Sequence, residues 1–192
     1  MQRVGLLGGT FDPPHAAHLA LARAALDAGA VDVIWVVPAG DPWQKSTEAT
    51  ADDRLAMTRL AFATMPQCVV QDLEIRRPGP TYTIDTVRAM QGAGLTVRCL
   101  IGSDTLAALP TWHAIEDLAH TTDFLVVSRP GTPVTPPAIP GLQVTVLPTD
   151  ERTEASRDLR AAIRATGACP DGVDVAVWRY IVDHALYGTG HA

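Results

Sequence analysis

A doubly wound parallel α/β sheet, folded as one domain over residues 1–192, is the fold class this sequence predicts, and three observations lead to it. Short β-branched runs alternate with helical stretches, the pattern of parallel strands joined by crossover helices. No repeat or linker divides the chain, and its length lies below the size at which one core splits into two. Motif loops follow the apolar runs that end near Leu7, Val37, Ile101 and Val127, and doubly wound sheets bind ligands beyond the carboxyl ends of their strands.

Arg3–Leu7 holds the apolar run Val4-Gly5-Leu6-Leu7 and reads as a buried strand, followed by an alanine-rich helix over Ala16–Ala28. Val31–Pro38 is the next strand, with a helix over Ala51–Met65, a strand over Cys68–Asp72 and a helix over Thr83–Gly92. Thr96–Gly102 is a strand leading into a short helix, Thr105–Leu109, and Asp123–Ser128 and Gln143–Leu147 complete the strands. The segment Pro130–Pro148, rich in Pro, Gly and Thr, reads as a long surface connection. Two C-terminal helices follow, Glu154–Ala165 and Asp174–Leu186; in the second, Val177, Ile181 and Ala185 fall at helical spacing, as in a helix packed on the core.

A net charge of −6 argues against broad binding to nucleic acid or anionic membranes, which need an excess of Lys and Arg on some face. A polyanionic ligand must therefore be met by a local cluster. Cys68, Cys99 and Cys169 are odd in number and widely spaced, which fits reduced thiols rather than a disulfide framework or a zinc site. No signal-peptide pattern and no apolar run of roughly 18 residues appears, so a cytoplasmic protein is expected.

The most informative segment is Gly8-Gly9-Thr10-Phe11-Asp12-Pro13-Pro14-His15-Ala16-Ala17-His18. A buried strand ending in two glycines lets backbone approach a phosphate, and the helix start that follows is expected to aim N–H groups at the anion. His15 and His18, three residues apart, lie on one face of the first turn and can both donate to phosphate oxygens. The spacing matches neither G-x-x-x-x-G-K-[ST] nor G-x-G-x-x-G.

The segment resembles the GGTFDPxHxGH signature of the nucleotidylyltransferases, and of bacterial nicotinate-nucleotide adenylyltransferases in particular. Further blocks resemble that family in the same order: Pro38–Lys45, Gly79–Thr86, Ile101–Asp104 with Thr111-Trp112-His113, Ser128–Gly131, and Tyr180–Tyr187. The resemblance implies a Rossmann-like sheet and transfer of the adenylyl group of ATP to nicotinate mononucleotide, with Mg2+ accompanying ATP. It assigns ATP to Gly8, Gly9, Thr10, Phe11, His15, His18, Gly102, Asp104, Ser156 and Arg160. It assigns the mononucleotide to Thr10, Lys45, Tyr82, Thr83 and Trp112. His15, His18 and Lys45 are the expected catalytic groups, no metal ligand is expected among the side chains, and a homo-oligomer is left open.

The chemistry suits these residue types. One substrate phosphate is already a nucleophile, so catalysis reduces to positioning and electrostatic stabilisation of the leaving pyrophosphate. Several residues carry a plainer reading as well. Asp12 could accept from magnesium-bound water or cap the helix, Asp104 could contact ribose or cap, and Trp112 could stack on the pyridine ring or fill core. Tyr82 and Thr83 open a helix whose N–H groups suit a carboxylate, against simple capping by Thr81 or Thr83. Ala17, Ala155 and Arg157 depart from the family pattern, which keeps a catalytically impaired nucleotide sensor in view, along with an adenylyltransferase for another phosphate acceptor. A dinucleotide module using Asp32 and a metal site of Asp12, His15 and His18 are the remaining alternatives.

Overall fold

The computed structural model describes residues 2–128, 134–147 and 154–190. Its elements run β1 (Arg3–Gly9), α1 (Ala16–Asp27), β2 (Val33–Pro38), α2 (Ala51–Phe62), β3 (Cys68–Val70), α3 (Leu73–Arg76), α4 (Thr83–Gly92) and β4 (Thr96–Gly102). They continue with α5 (Ser103–Ala108), α6 (Ile115–Thr121), β5 (Asp123–Val127), β6 (Val144–Leu147), α7 (Ser156–Thr166) and α8 (Val175–Asp183). All the expected strands and long helices form, with ends shifted by a few residues. The short α3 and α6 were not expected from the sequence. Arg129, Pro130 and Gly131 of the Ser128–Gly131 block, and His191, lie outside the described residues.

Every strand pairing is parallel, in the order β3-β2-β1-β4-β5-β6. The chain therefore winds outward in one direction from β1 and in the other from β4, and the crevice between those two strands is where ligands enter such sheets. Alternation along each strand sends side chains to two faces. Leu7, Ile34, Val36, Leu100, Leu125 and Val127 join the core under α1, α2, α7 and α8. Leu6, Val37, Cys99, Ile101, Phe124 and Val126 join the core under α4, α5 and α6. Both faces are covered, as parallel sheets require.

The C-terminal helix is shorter than its apolar spacing suggests. Val177 and Ile181 are fully buried, but Ala185 is exposed with φ +51 beyond the helix end at Asp183. The left-handed turn swings Tyr187 back into the core, a destination no helical period indicates. Cys68 is half-buried, Cys99 buried and Cys169 exposed; burial pushes the Cys68 thiol up to about 11 and Cys99 to about 12. Among the described residues no helix is long and apolar enough to cross a membrane.

Candidate active site

A cavity of about 670 Å³ opens at the carboxyl ends of β1 and β4, a volume typical of small-ligand sites. Gly8, Gly9 and Thr10 bring it the end of β1, and Gly102 and Asp104 bring it the end of β4. Asp104 lies in the first turn of α5 rather than capping it, since the N-cap is Gly102 and the helix begins at Ser103. Its expected capping role is thus not the one it has.

On the β1 side the loop is organised by its own side chains. His15 is the N-cap of α1, extended at φ −151, and only 4% exposed. The rings of His15 and His18 lie 3.8 Å apart between centroids, and both residues line the cavity. His18 Nδ1 accepts from the His15 backbone N–H at 3.2 Å, which assigns the ring hydrogen to Nε2 in the neutral imidazole. Phe11 does not line the cavity. Its ring is wholly buried and tilted against His18 with centroids 4.7 Å apart, so its side chain is a support for the imidazole. One expectation changes here: Ala16 N–H donates to Gly172 O at 2.8 Å and His18 N–H to His15 O at 2.9 Å. The start of α1 is therefore largely satisfied by the protein itself, because the 172 loop packs over it. The imidazoles of His15 and His18 are the side-chain donors that this loop brings to the cavity wall.

Asp12 does not cap α1, whose N-cap is His15. Asp12 is 1% exposed and accepts from Glu48 N–H at 2.8 Å, Ala49 N–H at 3.2 Å and Tyr187 O–H at 2.7 Å. Arg160 Nη1 stands 3.6 Å from its other oxygen and donates to its backbone carbonyl at 2.6 Å. Asp12 is a clamp joining four segments, not the cap of α1. Its carboxylate does not converge with His15 and His18, so that metal triad is not assembled. Among the described residues no group of three or more His, Cys, Asp and Glu side chains could hold an ion.

The start of α7 reaches the same cavity. Ser156 donates to Pro13 O at 2.9 Å, and Arg160 also donates to Glu48 at 2.7 Å, while both line the cavity wall. Burial raises the Glu48 carboxyl, but Arg160 and Arg164 outweigh it and hold the group below its ordinary value. Arg157 lines the rim yet is largely exposed and pairs with its neighbour Asp158, in keeping with a solvated helix residue. Ala155 is the N-cap of α7 and supplies no side-chain capping bond. Ala17 lines the cavity and is buried in its wall.

Across the cavity lie Lys45, Tyr82, Thr83 and Trp112. Tyr82 is the N-cap of α4 with no side-chain capping bond, and Thr81 instead exchanges bonds with Asp41, accepting at Oγ1 (3.1 Å) and donating from N (2.9 Å). Capping by Thr81 or Thr83 is thereby replaced by a strap between two loops. His113 stacks on Tyr82 with centroids 4.0 Å apart, and Trp43 meets the same ring edge-on at 5.8 Å. Gln44 donates to Thr111 Oγ1 at 2.8 Å, tying the Lys45 loop to the Trp112 loop.

Arg54 and Glu74 are residues the sequence reading passed over. Arg54, 1% exposed, donates to Thr10 O at 2.9 Å and Gly40 O at 3.1 Å and so fastens the loop after β1 to the loop after β2. Burial pulls its guanidinium below the ordinary value, with Asp12 and Tyr187 acting against that. An Arg in a helix that also carries Arg59 and two aspartates carries no sequence signal of such a task. Asp32, the candidate ribose acid of a dinucleotide module, pairs with Arg3 at 2.6 Å before the start of β2, at the opposite end of the sheet from the cavity.

A parallel sheet that reverses its winding at a cavity walled by glycines, imidazoles, a lysine and an arginine is the architecture of an α/β protein that handles nucleotides. The cytidylyltransferase-like family matches residues 6–162. A probable nicotinate-nucleotide adenylyltransferase of Bordetella petrii is 41% identical over 196 residues, covering 97% of this chain and 100% of the relative. One of Oceanobacillus iheyensis is 35% identical and covers 99% of each chain. Among solved structures, a Plasmodium falciparum nicotinic acid mononucleotide adenylyltransferase complexed with NaAD superposes with a TM-score of 0.79 over 99% of both chains at 17% identity, which supports the fold. The chain belongs to the cytidylyltransferase-like family of nucleotidyltransferases, within its nicotinate-nucleotide adenylyltransferases.

Proposed function

We propose that this cavity binds ATP and nicotinate mononucleotide side by side and transfers the adenylyl group to the mononucleotide phosphate, giving deamido-NAD and pyrophosphate. The observation that carries the reading is that one cavity has two unlike walls. Imidazoles, glycines and Arg160 stand on one side, and an aromatic group with an uncapped helix start stands on the other.

In this mechanism an oxygen of the mononucleotide phosphate attacks the α-phosphorus of ATP while the bond to the bridging oxygen of pyrophosphate breaks. No protein atom forms a covalent bond. Gly8, Gly9 and Thr10 let the triphosphate approach the end of β1, and His15 and His18 donate to oxygens on which charge grows. Lys45 adds a mobile positive charge. Asp104 and Gly102 face the ribose, with Ser156 and Arg160 closing over the phosphates. Trp112 stacks on the pyridine ring, and the first turn of α4 at Tyr82 and Thr83 faces its carboxylate. Mg2+ would accompany ATP and offset part of its phosphate charge; among the described residues no group of three or more His, Cys, Asp and Glu side chains gathers to hold an ion of its own. The test is to incubate the protein with ATP, magnesium and nicotinate mononucleotide and measure pyrophosphate and deamido-NAD. Nucleotide binding without turnover would replace the enzyme with a sensor.

A further inference from the structure

Glu74 is a buried carboxyl that the mechanism above does not use, although it lines the cavity and is only 5% exposed. Its Oε1 accepts from the hydroxyl of Thr86 at 2.5 Å, and Thr86 Oγ1 in turn accepts from Arg77 at 3.3 Å. Thr86 is fully buried on α4, one turn beyond Thr83. The backbone of Glu74 is fixed too: a side chain at Gly40 would collide with its carbonyl oxygen, so α3 lies flat against the loop that carries Lys45. That loop is itself strapped to Thr81 through Asp41. One carboxyl therefore sits where the Lys45 loop, α3 and the first turns of α4 meet.

Resting on the reading that this half of the cavity takes the mononucleotide, we propose that Glu74 is a positioning residue for it. Through Thr86, Glu74 holds the start of α4 in register with the Lys45 loop, and its carboxylate takes a proton from water when the anionic mononucleotide binds. An ionised Glu74 would place a like charge in the wall that faces an anion, whereas the neutral acid keeps its bond to Thr86 and removes the repulsion. The charges acting on it are Arg77, which favours ionisation, and Asp85 on α4, which opposes it; β2, packed under α3, brings only apolar side chains. Burial is the dominant influence and already raises the carboxyl to about 7.

The test is calorimetric titration of nicotinate mononucleotide into the protein at pH 7, in two buffers of different ionisation enthalpy, for wild type and Glu74→Gln. Wild type should take up roughly half a proton more than the variant, and its Kd should weaken roughly 5- to 10-fold more between pH 6 and 8. Comparison with the variant removes the titration of the substrate phosphate itself. ATP binding should show no such difference. Thr86→Val, which keeps the carboxyl but deletes its donor, should move the midpoint of the pH effect upward, and it serves if the glutamine variant fails to fold. Equal proton uptake in wild type and Glu74→Gln, or an unmoved midpoint in Thr86→Val, overturns this inference alone. Absence of mononucleotide binding to wild type overturns the reading of the cavity and this inference with it.

Discussion

His18 lines the cavity with its Nδ1 held by the backbone N–H of His15, so that its ring hydrogen sits on Nε2. Such a donor is preorganised, and removing one typically costs two to three orders of magnitude in turnover. His18→Ala should therefore lower kcat by roughly 10²- to 10³-fold with little change in thermal stability. Wild-type turnover from the folded variant would remove His18 from the mechanism. Ala17 is the neighbouring residue in the buried cavity wall, where its methyl group occupies space that glycine would leave open. Ala17→Gly is expected to tighten ATP binding in a direct titration, against a helix penalty of about 1 kcal/mol. Weaker binding would mean that the loop has adapted to alanine. The histidines, lysine and glycines were legible because their motif is local and its spacing is chemical. Arg54, Glu74 and Tyr187 were not, because each acts through partners far away in sequence, and nothing in the neighbouring letters marks a buried polar bond.

At the scale of elements, the strands and long helices follow from β-branched runs and from helical segments long enough to show an apolar face. α3 spans only four residues and α6 seven, too short for a period to register. Yet α3 sets the charge behaviour of the site. Glu74 rises from an ordinary 4.5 to about 7, so between those values the native state binds more protons than the unfolded chain. Its contribution to folding is complete at the acid end of that window and is lost as pH rises through about 7. By about 1.4 kcal/mol per unit the loss amounts to roughly 3 kcal/mol. Denaturant unfolding at pH 5 and pH 8 should show wild type losing stability relative to Glu74→Gln across that interval. Parallel curves for the two proteins would contradict it. Glu48 and Asp53 are shifted the other way by Arg160 and Thr50 and support folding at the higher pH. Tyr187 belongs to this scale as well, since its hydroxyl is one of the donors to the buried Asp12 carboxylate. Tyr187→Phe should cost roughly 1.5–3 kcal/mol, seen as a fall in Tm of several degrees, and an unchanged Tm would mean that water replaces the bond.

In the proposed function the whole molecule gives its two walls to two ligands, and selectivity would belong to the wall built by α4. The start of α4 offers backbone N–H groups and the positive end of the helix dipole, which favour a carboxylate over an amide. Nicotinate mononucleotide should exceed the amide mononucleotide in kcat/KM by roughly 5- to 150-fold, the value of an unpaired polar group, in side-by-side initial rates. Equality or reversal would sink the assignment. Most of the residues singled out by the resemblance line one cavity, with Phe11 behind it, because the motifs follow strand ends and strand ends converge in this sheet.

The bond between Tyr187 and Asp12 joins residues 175 positions apart. Ribosomal synthesis makes the loop bearing the two imidazoles well before the hydroxyl that completes the Asp12 clamp. Until residue 187 has cleared the exit tunnel, the nascent chain carries the loop after β1 without that fastening. Completion of the Asp12 clamp thus waits until residue 187 has been made, and a stop before Tyr187 would show its damage 175 positions upstream, in the loop between β1 and α1.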